Sequence, residues 1–191
     1  KKWDEATAVL VGDALQTLAF ELLARPDSGL AAQGQLGLIA GLAKASGAEG
    51  MVLGQAQDMA AETAAVPLTL TEIAHLQSNK TGALIEWSAT AGAVMVGADA
   101  ALLRRYARSL GLAFQIADDI LDVEGTVDVV GKATGKDSAS GKATFVSLLG
   151  LEGAKIRAQE LVDEACMALD DFGDRGDILK AAARFVVSRD L

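Results

Sequence analysis

Gly111-Leu112-Ala113-Phe114-Gln115-Ile116-Ala117-Asp118-Asp119-Ile120-Leu121-Asp122-Val123-Glu124-Gly125 places three closely spaced aspartates inside an otherwise apolar run. At 3.6 residues per turn, Gln115, Asp118, Asp119 and Asp122 fall at i, i+3, i+4 and i+7, which is one face of a helix. Phe114, Ile116, Ala117, Ile120, Leu121 and Val123 cover the rest of the circumference. The spacing therefore predicts a helix packed among other helices, with its acids turned to an internal cavity. Two unit charges about 4 Å apart repel by roughly 4 kcal/mol at an effective dielectric of about 20. Either one carboxylate holds a proton, or a hard divalent cation sits between them. An all-oxygen donor set suits magnesium rather than zinc. The bland alternative, a solvated helix face, fits poorly with flanks this apolar.

The whole chain has 191 residues, enough for one domain with a substantial core. Hydrophobic residues make up 51 %, yet no uninterrupted apolar run reaches the roughly 20 residues of a membrane span, so no span is expected. A single cysteine, Cys166, excludes an internal disulfide and fits a reducing cytoplasm. One cysteine and one histidine also exclude a zinc cluster. The net charge of −9 argues against nucleic acid as a partner. The opening Lys1-Lys2-Trp3 lacks a methionine and reads as the interior of a longer protein.

Away from the acidic stretch the pattern is helical throughout, with no convincing period-2 strand. Asp4 to Leu23 predicts a long amphipathic helix with Val9, Leu10, Ala14, Leu18 and Leu22 inward and Asp13 as a hydrogen-bonded core acid. Arg25-Pro26-Asp27-Ser28-Gly29 reads as a turn. Further helices are expected over Leu30 to Ser46 and over Glu49 to Glu62, the latter carrying Gln55 and Asp58 on an apolar face. Thr69 and Glu72 form a capping box, with Leu68 and Ile73 as its staple, opening a helix that runs to about Met95. Its inward stripe is Ile73, Leu76, Lys80, Leu84 and Trp87, and a lysine there needs an anion unless it snorkels to solvent. His75 lies off the stripe. Gly125, Gly131, Gly135 and Gly141 punctuate a loop holding Lys132, Lys136 and Lys142, which is no Walker motif because a helix precedes it. Thr144 to Leu149, Glu152 to Leu169 and Asp177 to Arg189 read as closing helices, with Ile156, Leu161, Val162, Ala165, Cys166 and Leu169 in the core and Asp170-Asp171 at the surface.

Phe114-Gln115-Ile116-Ala117-Asp118-Asp119-Ile120-Leu121-Asp122, followed by Gly131-Lys132 and Gly141-Lys142, resembles the second aspartate-rich motif of the trans-isoprenyl diphosphate synthases. Gly54-Gln55, Asp58, Lys80-Thr81-Gly82 and Gly12-Asp13-Ala14-Leu15 match further family patterns, so the resemblance runs over residues 1–190. It implies an all-α isoprenoid synthase-type bundle around a deep central cavity, a single domain over 1–191 and a homodimer. It implies Mg2+ on Asp118, Asp119 and Asp122, with Lys80, Asp118 and Asp119 catalytic. Gln55, Asp58, Lys80, Thr81, Gln115, Lys132 and Lys142 would contact substrate. The implied reaction condenses isopentenyl diphosphate with an allylic diphosphate, dimethylallyl or geranyl, to give farnesyl diphosphate first and geranylgeranyl diphosphate next. The family's first aspartate-rich motif is not in these residues. Its absence keeps open a non-catalytic partner subunit, and the shared ionisation chemistry keeps open a class I terpene cyclase.

Overall fold

A computed structural model describes residues 3–125 and 143–188. Their order is α1 (Glu5–Ala24), α2 (Ala32–Ser46), α3 (Met51–Ala61), α4 (Leu70–Gln77), a π turn (Ser78–Gly82), α5 (Ala83–Val96), α6 (Ala101–Glu124), α7 (Phe145–Met167), a 3-10 segment (Asp170–Gly176) and α8 (Asp177–Ser188). No strand occurs among the described residues. The all-α expectation holds, with boundaries within about two residues of those read from the sequence.

The core lies where α6 crosses α7. Tyr106, Ala107, Ala113, Ile116, Ala117 and Ile120 of α6 are buried against Ala154, Ala158, Leu161, Val162 and Ala165 of α7. The alanines on α7 bring the two backbones close, and the branched residues fill between them. Tyr106 is 2 % exposed and its hydroxyl donates to the Leu179 carbonyl at 2.9 Å, which ties in α8. Burial pushes its pKa up to about 12, so the phenol remains a donor. Gly150 interrupts α7 at φ +72°, a left-handed conformation that glycine adopts without a Cβ clash.

The capping box read from the sequence is present. Thr69 accepts from the Glu72 amide at 3.4 Å, and Glu72 accepts from the Thr69 amide at 2.8 Å and from its hydroxyl at 2.7 Å. The box starts α4 so that Ile73 and Leu76, each 4 % exposed, enter the core. The helix continues through the π turn into α5, where the Trp87 indole donates to the Leu38 carbonyl at 3.1 Å and joins α2. Leu161, Val162, Ala165 and Leu169 are buried as expected, and Asp170 and Asp171 are exposed.

Three expectations fail. The apolar stripe of α1 is not inward: Val9, Leu10, Leu18 and Leu22 are 41 % exposed or more, and no residue of α1 is buried. Helical period identifies an apolar face but not what covers it. Asp13 is correspondingly exposed rather than a core acid. Ile156, two residues from both Ala154 and Ala158 and so on the opposite face of α7, is 60 % exposed. By length and composition, Glu5–Ala24 and Ala32–Ala61 also reach the range of a membrane span, which a search for uninterrupted apolar runs misses. The second of these stretches is broken between α2 and α3 at Gly47 and Gly50.

Replacing Thr69 by Ala removes the cap and should lower Tm by about 2–4 °C at neutral pH. The Thr69 amide, which alanine keeps, and then the Thr69 hydroxyl, which it loses, hold the Glu72 carboxyl below its usual value of 4.5. That contribution exists above the unfolded pKa and disappears as pH falls through the folded one. Thermal melts should therefore show the hydroxyl's share of the Thr69→Ala deficit shrinking as the pH falls below 4.5.

Candidate active site

The polar stripe of α6 faces a cavity of about 450 Å³, lined by Gln115, Asp118, Asp119 and Asp122 from α6. Asp58 of α3 and Glu62 beyond it, Ile73 and Gln77 of α4, Lys80 of the π turn, and Ala143 and Thr144 ahead of α7 complete the lining. Five carboxylates thus share the wall with one ammonium. Among the described residues no three ligating side chains converge closely enough to cage an ion alone. A wall whose ligating atoms are mainly carboxylate oxygens, with excess negative charge and unable to complete a coordination sphere, fits a hard cation that also takes oxygens from a bound phosphate or water, as magnesium does.

The π turn fixes Lys80. Within it the chain runs one residue wider per turn than an α-helix, a distortion that often marks functional positions. Two glycines make room on either side. A Cβ on Gly54 would lie 2.1 Å from the Lys80 backbone nitrogen and 2.4 Å from its Cα, and one on Gly111 would lie 3.3 Å from the Gly82 Cα. Backbone of the π turn therefore passes close to α3 and to α6. Lys80 Nζ then meets Asp58 Oδ2 at 2.6 Å. Asp58 is 4 % exposed, so this is the anion that the inward lysine required. One residue earlier, Asn79 donates to Gln57 Oε1 at 3.1 Å and pins the same turn to α3.

Asp119 has a further contact, because its Oδ2 accepts the Phe145 amide at 2.8 Å. Thr144 caps α7 in a reciprocal pair with Ser147, accepting the Ser147 amide at 3.1 Å while Ser147 Oγ accepts the Thr144 amide at 2.8 Å.

Asp58, Lys80, Gln115, Asp118, Asp119 and Asp122 were all candidates from the sequence, and all line one cavity. Gln55 is exposed and Thr81 half-buried, and neither lines it. Lys132, Lys136 and Lys142 lie outside the described residues. Glu62, Gln77 and Thr144 were missed. Glu62 sits at i+4 from Asp58 and Gln77 at i+4 from Ile73, so continuing each helix face by one turn would have found two of them. Thr144 stands in no helical register with the rest.

A family model described as polyprenyl synthetase matches residues 1–184. Farnesyl diphosphate synthase of Escherichia coli (strain K12) is 42 % identical over 196 residues, covering 98 % of this chain and 65 % of the relative. Among solved structures, an apo FPP/GFPP synthase from Zymomonas mobilis superposes with a TM-score of 0.85 at 48 % identity, over 97 % of this chain and 62 % of that one. A geranyltransferase from Helicobacter pylori, complexed with magnesium and isoprenyl diphosphate, gives 0.78 at 38 % identity, over 98 % and 61 %. The chain thus spans a little under two thirds of the length of these relatives.

Substitutions at Lys80, Asp58 and Gly54 test the Lys80 geometry. Lys80→Ala removes the ammonium from a buried Asp58 and should cost about 2 kcal/mol, less than a fully buried pair because a third of the lysine side chain is solvated. Lys80→Met with Asp58→Asn should recover most of that loss in urea titrations. Additive losses in the double variant would mean the two side chains are not coupled. Gly54→Ala gains about 1 kcal/mol of helix propensity but forces the Lys80 backbone aside, and a net cost of about 3 kcal/mol is expected from the same titrations.

Proposed function

This chain belongs to the polyprenyl synthetase family, and we propose that it carries the diphosphate-ionising half of a head-to-tail prenyltransferase active site. The observation that carries this reading is the cavity in which the acid stripe of α6 faces Lys80, itself anchored by Asp58. The substrates are an allylic diphosphate, dimethylallyl or geranyl, and isopentenyl diphosphate. The product assigned first is farnesyl diphosphate, in keeping with the similarity to the E. coli enzyme.

Asp118 and Asp122, one turn apart on α6, would hold magnesium jointly with phosphate oxygens of the substrate, with Asp119 beside them. Bound there, magnesium supplies positive charge that makes diphosphate a competent leaving group. Lys80 adds a fixed ammonium on the opposite wall. Its bond to Asp58 holds it in place before substrate arrives, so little reorganisation is needed as charge develops. The allylic C–O bond then breaks, with its electron pair leaving on the diphosphate. The isopentenyl double bond attacks the allyl cation, and the proton released from the new adduct passes to the departing diphosphate. Ile73 and Ala143 are the apolar side chains in the described lining, and the polar remainder of that wall is suited to the diphosphate end of the substrate.

The exposed apolar face of α1 supports a homodimer, since leaving Val9, Leu10, Leu15 and Leu22 in water is costly. The acidic composition and lone cysteine support a cytoplasmic setting.

Asp118→Asn in the intact protein should lower turnover by about 100-fold or more while leaving the melting temperature within a degree or so. Incorporation of labelled isopentenyl diphosphate at saturating magnesium, read beside a thermal melt, decides this. Normal turnover would remove the α6 stripe from the chemistry.

A further inference from the structure

Asp118 and Asp119 are adjacent in sequence but differently placed. Asp118 is exposed at the cavity and stands one helical turn from Asp122. Asp119 lines the same cavity but is half-buried and turned by about 100° toward α7, the rotation of one helical residue. There its Oδ2 accepts the Phe145 amide at 2.8 Å. Phe145 is the first residue of α7, and its amide is one of the four at a helix start that have no acceptor within the helix. Thr144 and Ser147 satisfy their own amides reciprocally, and the carboxylate supplies the acceptor for the Phe145 amide that lies between them. A negative charge at this end also suits the helix dipole.

The bond has consequences on both sides of α6. The Phe145 side chain is 2 % exposed and, with Leu149, lines an apolar groove of about 450 Å³ bounded by Leu70, Ala74, Leu112 and Ile116. Ala143 and Thr144, immediately before it, line the acid cavity. Where the Phe145 amide is held therefore decides where the Thr144 wall stands relative to Asp118 and Asp122.

We propose that Asp119 is a positioning residue, which fastens the start of α7 to the acid face, and that it is not a magnesium ligand equivalent to Asp118. It departs from the family-based assignment of Asp119 as catalytic and metal-binding. Its kinetic arm rests on the prenyl-transfer reading above, whereas its exchange arm does not.

Asparagine distinguishes the roles, because its side-chain oxygen still accepts the Phe145 amide but binds magnesium poorly. Intact protein carrying Asp119→Ala, Asp119→Asn, Asp118→Ala or Asp118→Asn would be compared by hydrogen exchange without metal and by turnover across a magnesium titration. The Phe145 amide should exchange about tenfold faster in Asp119→Ala and near the parent rate in Asp119→Asn. Asp119→Asn should turn over about tenfold faster than Asp119→Ala with an unshifted magnesium midpoint, whereas the two Asp118 variants should be equally impaired. Parent-like protection of the Phe145 amide in Asp119→Ala overturns the proposal, whether or not prenyl transfer is detected. If Asp119→Ala does not fold, Asp119→Asn decides alone: turnover well above Asp118→Asn upholds the positioning role, and turnover equal to it overturns the role.

Discussion

Where α3 passes the π turn, the Gly54 backbone and the Lys80 backbone approach so closely that no side chain fits between them. That contact sets the depth at which the Lys80 ammonium emerges, and so the length of its bond to Asp58. Asp58 belongs to α3 as well, four residues on from Gly54, so donor and acceptor are aligned by the same helix. Gly111 completes the arrangement from α6, four residues before Gln115 and seven before Asp118. The glycine that admits the turn thus stands on the same face as the acids across the cavity. Spacing between the cationic and anionic walls is therefore fixed by backbone contact rather than by long, flexible side chains.

Electrostatically the cavity is under tension until it is filled. Five carboxylates and one ammonium line it, and the ammonium is already committed to Asp58. An acidic protein can still receive an anionic substrate when divalent cations travel with the phosphate, since the wall then meets a complex of reduced or reversed charge. Removing a carboxylate from such a wall relieves repulsion in the free protein while weakening the charged complex, which is why stability and turnover are expected to part company at Asp118.

Much of this was legible from residue order. The i, i+3, i+4, i+7 stripe of α6 named its cavity face because an apolar surround leaves the acids only one direction. Lys80 was placed inward by its register with Ile73 and Leu76, and the capping box at Thr69 set that register. What register could not show is which surface covers which. Val9, Leu10, Leu18 and Leu22 have the period of a core face yet are exposed, and Ile156 falls outside the contact between α6 and α7. Nor could it show the contact between Asp119 and the Phe145 amide, because a bond across 26 residues depends on how two helices are docked. Thr144 was hidden for the same reason, and Lys132 and Lys142 fall outside the described residues.

The π turn also changes the phase of the helix it interrupts. Each residue of an α-helix advances about 100°, so one surplus residue rotates everything beyond it by roughly that angle. Before the turn, Ile73 points into the core formed by α6 and α7, and Leu76 is buried on the same stripe. After it, Trp87 reaches the Leu38 carbonyl of α2. Beyond the turn Ile85 and Ala89 still pack on that core, so the rod gains α2 as a second partner while keeping the first. Removing one residue between Ser78 and Gly82 would restore ideal winding and would unavoidably turn one of those packing faces into solvent. Local irregularity is here the condition for global fit, and an insertion or deletion in this short segment would be far less tolerable than one in the described connections, such as 25–31.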